Sequence, residues 1–171
     1  PRNTENLYYH AKSIKEITSL INSRTCGTSV EGFSNSVPFY VNAPTTLNYT
    51  VPTGRPLILG DDFEISDTEE GNQILFNWDQ MDGEKTVSPP INTSTVGPAF
   101  VSKFPSTNQV RYLPNIETVL SGSTQNELEV IPRLSRNMNF TLTARDNKTG
   151  GGAVMQEDFG INFIRSEFGP F

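Results

Sequence analysis

The chain has 171 residues and a formal net charge of −6, and its 13 Lys and Arg residues are scattered along it. Nucleic-acid binding needs a clustered basic surface, so no nucleic-acid partner is expected. No apolar stretch approaches the length of a membrane span, so no membrane-spanning segment is expected. The 13 Gly and 12 Pro residues indicate many turns, which all-β proteins require.

The first 28 residues predict a short helix. Ser13-Ile14-Lys15-Glu16 matches a capping box, in which the serine and glutamate side chains each bond the other's backbone amide. Ile17, Leu20 and Ile21 extend an apolar face that begins at Ile14. No partner helix is evident later in the sequence. The helix must therefore dock on the rest of the chain or belong to a domain outside it, and we favour the second alternative.

A change of composition divides the chain. Residues 29–37 are rich in Ser, Gly and Asn, as linkers are. We therefore predict a helical remnant of an upstream domain at 1–28, a linker at 29–37 and a β domain at 38–171.

Strand candidates recur through the β domain. Alternation of large apolar residues with a period of two is clearest at 74–80 and 138–145, and a glycine loop then leads to another strand at 153–164. Shorter candidates lie at 46–51, 56–66 (with a bulge at Gly60-Asp61), 100–104, 110–113 and 128–131, and a short helix or turn at 116–120.

The order of these elements predicts the fold class. Seven or more strands, a tryptophan on an early central strand and a closing hairpin are typical of an all-β, immunoglobulin-like antiparallel β-sandwich of the PKD or cadherin sort. The short N-terminal helix precedes it. Trp78 shares a face with Ile74 and Phe76, so it is expected in the core.

Several stretches resemble a known protein family. Residues 7–17 (LYYHAKSIKEI) and 26–28 (CGT) resemble the end of the catalytic domain in secreted reprolysin-like zinc metalloproteases of Bacteroidetes. The later stretches resemble the PKD-like sandwich next to that domain: 49–52 (YTVP), 76–82 (FNWDQMD), 97–100 (GPAF), 130–136 (VIPRLSR) and 139–147 (NFTLTARDN).

The resemblance implies a non-catalytic accessory domain that binds, positions or stabilises, in a secreted or cell-surface protein. Such proteases bind zinc through three histidines in His-Glu-x-x-His-x-x-Gly-x-x-His. This chain has only His10, expected to pack or cap before the helix, so zinc is expected only in a catalytic domain outside it. The chain itself is therefore not expected to be an enzyme. The implied partner is the upstream protease domain in cis, with a protein or polysaccharide substrate as a further candidate.

The alternative is a carbohydrate- or matrix-binding adhesion module stabilised by calcium. In an immunoglobulin-like sandwich, the loop before the tryptophan strand and the loop of the closing hairpin lie at one end. That end would gather Asp67, Glu69 and Glu70 near Asp146 and Asn147, and calcium prefers such oxygen ligands. The opposing interpretation is solvated turn residues, with Asp146 pairing locally or capping the glycine loop. It is favoured because no complete ligand spacing is present.

Two further features allow alternatives. Asp79, Asp82 and Glu84 could serve as acid and base in a hydrolase, although a solvated strand end is favoured. Cys26 is the only cysteine, so it is either an idle thiol or pairs with a cysteine outside this chain.

Overall fold

The computed structural model describes residues 8–25, 27, 35–69 and 73–165. Its elements in chain order are α1 (Ala11–Asn22), β1 (Phe39–Asn42), β2 (Asn48–Pro52), β3 (Leu57–Leu59), β4 (Glu64–Ser66), β5 (Leu75–Gln80), β6 (Arg111–Leu113), α2 (Ile116–Leu120), β7 (Arg136–Arg145) and β8 (Val154–Ile164). None of the described helices is long and apolar enough to cross a membrane.

The first layer is a four-stranded sheet with the order β2-β8-β7-β5. β7 pairs antiparallel with both β5 and β8, and Trp78 lies opposite Leu142. The apolar face predicted for each of these three strands is confirmed, since Phe140, Phe159 and Trp78 are all buried. The solvated opposite face is wrong for β5 and for the second half of β7, because Asp79 and Thr141 on that face are buried as well. β2 differs from the predicted antiparallel arrangement because it pairs parallel with β8. No hairpin joins these two strands, so their direction is free to match.

The second layer consists of two short antiparallel pairs, β1 with β4 and β3 with β6. The single strand predicted at 56–66 is broken into β3 and β4 at the predicted bulge. Gly60 adopts φ +82° there, and a Cβ atom at this position would lie 2.7 Å from the Gln109 carbonyl oxygen. Only glycine combines this conformation with this close approach.

One core joins the two layers. Leu59, Phe63, Ile65 and Leu113 from the second layer pack into the same buried cluster as Trp78 of the four-stranded sheet. The fold is therefore mostly β, with two packed layers, which confirms the predicted all-β class. The immunoglobulin-like topology stays a prediction. The domain boundaries at 28/29 and 37/38 stay predictions.

Two predicted strands do not form. The stretches 100–104 and 128–131 make only isolated bridges, from Phe100 to Glu129 and from Gln125 to Val130. Phe104 and Ile131 are each followed by proline, which lacks the N–H that a ladder needs. The segments still contribute Phe100 and Ile131 to the core.

A buried ion pair connects these loops to the sheet. The Arg111 side chain donates to the carbonyl oxygens of Trp78 at 2.6 Å and Val101 at 2.5 Å. It also bonds Glu129 at 2.8 Å, and both charged groups are almost fully buried. Glu129 in turn accepts from the Asn115 backbone N–H at 2.7 Å, which positions the start of α2. The pair therefore fixes the irregular segments in place of strand pairing.

Candidate functional site

The two loops predicted to bind calcium lie side by side. Asp67 and Glu69 follow β4, and the Ser36 hydroxyl lies 2.5 Å from a carboxylate oxygen of each. The Ser36 backbone N–H donates to the other oxygen of Glu69 at 2.9 Å. Lys148, in the loop after β7, places its Nζ 3.7 Å from Glu69 Oε1. The predicted meeting of the two loops is therefore seen.

Asp146 occupies a different environment from the other two carboxylates. It is buried, and its Oδ2 accepts from the Asn35 side-chain amide at 2.6 Å. Its Oδ1 accepts from the backbone N–H groups of Ala153 at 2.8 Å and Lys148 at 3.1 Å. Asp146 thus caps the glycine loop, as the alternative interpretation anticipated, and calcium would have to displace these N–H donors.

The remaining predicted ligands do not complete a metal site in the part of the chain that the structure describes. Asn147 has φ +50° and shapes the turn, while Glu70 lies outside the described residues. Among the described residues, no group of three or more His, Cys, Asp or Glu side chains is placed to hold a metal ion. The calcium site at Asp67, Glu69 and Asp146 stays a prediction.

The three carboxylates considered for acid–base chemistry have separate surroundings. Asp79 is buried, whereas Glu84 is exposed. Asp82 accepts from the side-chain amides of Asn139 at 2.9 Å and Gln80 at 2.6 Å. These contacts give Asp82 structural partners. Cys26 lies outside the described residues.

The first turn of α1 is fastened to the outer face of the four-stranded sheet. Asp79 of β5 accepts the Ala11 backbone N–H at 2.8 Å, and its other oxygen lies 3.4 Å from His10 Nδ1. The helix begins at Ala11, with His10 as its N-cap, so the predicted capping box at 13–16 is wrong. A carboxylate from a distant strand supplies the capping oxygen.

Further contacts join α1 to β7 and β8. Lys15 reaches both Thr141 and the Asp158 carboxylate. The Gln156 side chain donates to the Ala11 carbonyl at 3.2 Å. The outer-face residues Thr141 and Thr143 are consequently 0 % exposed. Docking on the rest of the chain was the less favoured of the two alternatives for this helix, and no sequence pattern assigned Thr141, Gln156 or Asp158 to it.

These contacts alter the pKa values of charged groups near the helix. Partial burial acts to raise the pKa of Asp158, but hydrogen bonds from Lys15 and Thr141 outweigh it and lower the pKa. Burial lowers the pKa of Arg145, against the attraction of Asp79. Arg145 donates to the Tyr9 carbonyl at 2.6 Å, which holds the chain as it enters α1.

The rest of α1 presents an apolar face to solvent. Ile17, Leu20 and Ile21 are 44 %, 53 % and 65 % exposed. Full burial of an exposed side chain of this size typically gains about 1.5–3 kcal/mol, so covering the exposed half of each would gain roughly half as much. The helix is thus anchored at its first turn and apolar beyond it.

Comparison with known proteins finds no family model that matches the chain, no similar curated protein and no similar solved structure. Any functional assignment therefore depends on the residues and contacts described above.

Proposed function

We propose that this chain is a non-catalytic accessory module of a secreted zinc metalloprotease, acting by binding, positioning and stabilising. In this proposal α1 is the end of an upstream protease domain in cis. The supporting observation is the two-sided character of α1. Ala11 and Lys15 bond it to three strands, β5, β7 and β8, whereas its other face, with Ile17, Leu20 and Ile21, lies exposed. A helix held in this way can fix the orientation of a domain packed on its other side.

The proposed fold family is the immunoglobulin-like sandwich. The sheet order β2-β8-β7-β5, with an early strand parallel to the last strand, supports this assignment. The second layer supports it as well. There β3, before the break at Gly60, pairs with β6, and β4, after the break, pairs with β1. A module of this kind carries its partner contacts on loops and faces.

The decisive experiment is to read the coding sequence upstream of Pro1. The proposal expects a His-Glu-x-x-His-x-x-Gly-x-x-His motif in the preceding domain and no peptidase activity in the isolated chain. A continuous reading frame without that motif, or peptidase activity of this chain that is lost on mutating one of its residues, would overturn the assignment.

A matched pair of variants tests the role of α1. Ile17→Asp with Ile21→Asp should change the stability of the isolated chain by less than about 1 kcal/mol, because both side chains are already exposed and each surface substitution typically changes stability by about 0.5 kcal/mol or less. The same variant should destabilise the longer protein, where the proposal buries the face. Lys12→Ala, on an exposed position of the same helix, is the control. Equal effects in both contexts would contradict the proposed interface.

The second candidate is a calcium-stabilised adhesion module, favoured by the meeting of Asp67 and Glu69 with the loop that carries Asp146. Calcium binding to the folded state would raise the melting temperature by mass action. Millimolar calcium should then stabilise the chain but not an Asp67→Asn variant. No response to calcium, together with no binding on a glycan array, would remove this candidate.

A further inference from the structure

An apolar cavity opens at the seam between β2 and β3, where the two layers separate. Its volume is about 270 Å³, and its walls come from both layers of the fold. The break of the second layer after β3 leaves this side of the core without a longer covering strand. The cavity lies apart from the acidic loops and from α1, so it is independent of the proposed function.

Four aromatic rings line this cavity. Phe159 lies at their centre, with ring centroids 4.9 Å from Trp78, 5.8 Å from Phe63 and 6.4 Å from Tyr49. Trp78 and Phe159 are buried, whereas Tyr49 on the edge strand β2 is half-buried. Aromatic faces carry negative electrostatic potential, which favours an adjacent cation.

Two carboxylates complete the lining. Asp61 and Asp62 belong to the break between β3 and β4 and are exposed. The Tyr49 hydroxyl donates to Asp62 Oδ2 at 2.5 Å, which holds that carboxylate beside the aromatic wall. Burial raises the pKa of the Tyr49 phenol, so this donor stays protonated. Among the described residues, neither aspartate forms an ion pair with Lys or Arg.

We propose that this cavity binds a small organic ammonium ligand, whose apolar body enters between the layers and whose cationic group is held by Asp61, Asp62 and the Tyr49 ring. The choice of occupant rests on charge complementarity. A neutral apolar ligand would leave the two carboxylates unused, and an anion would meet their charge directly. The cavity volume of about 270 Å³ is sufficient for an apolar body such as one phenyl ring with a short chain.

Fluorescence provides a direct measurement, because Trp78 is the only tryptophan of the chain and lines the cavity. The probe is 2-phenylethylammonium, compared with the neutral 2-phenylethanol and the anionic 3-phenylpropionate. We expect the ammonium compound to bind about three- to tenfold more tightly than the alcohol, as two solvent-exposed ion pairs would provide. Its advantage should shrink with added salt.

Two variants separate the charge from the cavity. Asp61→Asn with Asp62→Asn should bring the ammonium compound to the affinity of the alcohol, whereas Glu127→Gln removes an exposed charge elsewhere and should change nothing. Val51→Phe enlarges a side chain of the cavity wall and should abolish binding of both compounds while the chain stays folded by circular dichroism. Absence of any saturable Trp78 response, equal affinity for all three compounds, or unchanged ammonium binding in the double Asn variant would each overturn the proposal.

Discussion

Removing the Asp79 carboxylate should weaken the attachment of α1 to the sheet. In the native chain the buried Ala11 N–H donates to Asp79 Oδ2 at 2.8 Å. Asp79→Ala removes this acceptor. An unsatisfied buried donor costs about 1–3 kcal/mol, and loss of an N-cap acceptor costs about 0.5–2 kcal/mol. These figures describe the same contact, so we expect a loss of about 2 kcal/mol rather than their sum.

Amide hydrogen exchange is the assay that localises this loss. A cost of about 2 kcal/mol corresponds to about a 30-fold increase in the opening equilibrium, so the first turn of α1 should exchange about 30-fold faster. If the helix and the sheet unfold together, the melting temperature should fall by about 4–8 °C. Asp79→Asn retains an acceptor oxygen and should lose less, and Glu127→Ala is the exposed control. Unchanged protection of α1 in Asp79→Ala would refute the argument that this carboxylate anchors the helix.

Three other changes test separate contacts. Glu129→Ala should lower the free energy of unfolding, measured with denaturant, by about 3–5 kcal/mol, because it leaves Arg111 buried without its ion-pair partner. A decrease of less than about 1 kcal/mol would contradict this. Gly97→Ala should cost at least about 1 kcal/mol, because φ is +75° and the new Cβ would lie 2.6 Å from a backbone oxygen; retained stability would refute the strain. Lys15→Met should raise the pKa of Asp158 toward 3.8, followed by carboxyl NMR. Because the folded-state pKa is lowered, the stability from this pair is present at neutral pH and is lost as the pH falls through that lowered value. An unshifted titration in Lys15→Met would show that Lys15 is not the cause.

β5 and β7 could be predicted because the face of each strand that packs in the core carries large apolar residues at a period of two. The burial of Asp79 and Thr141 on the opposite face could not, because it depends on the distant helix α1. α2 occupies Ile116–Leu120, where a helix or turn is predicted. β1 was missed because its four residues are mostly exposed and therefore carry little alternation. The break between β3 and β4 depends on the approach of Gly60 to the Gln109 backbone, a distant contact that local pattern cannot contain.

The candidate loop site could be predicted in part. The meeting of the two loops was expected from the immunoglobulin-like fold class, in which these loops lie at one end of the sandwich. Its closing contacts come from Asn35 and Ser36, which the composition assigned to a linker. Short polar residues such as Asn and Ser occur both in solvated linkers and in hydrogen bonds to buried carboxylates. The residue type alone therefore does not distinguish the two environments.

The parallel pairing of β2 with β8 has a consequence for biosynthesis. β2 cannot pair until β8, more than 100 residues later in the chain, has been translated. The docking of α1 likewise requires β7 and β8. Growing chains on the ribosome therefore expose an unpaired edge and an apolar helix until almost all of this sequence has emerged. The four-stranded sheet and the docking of α1 are therefore expected to be completed late in synthesis.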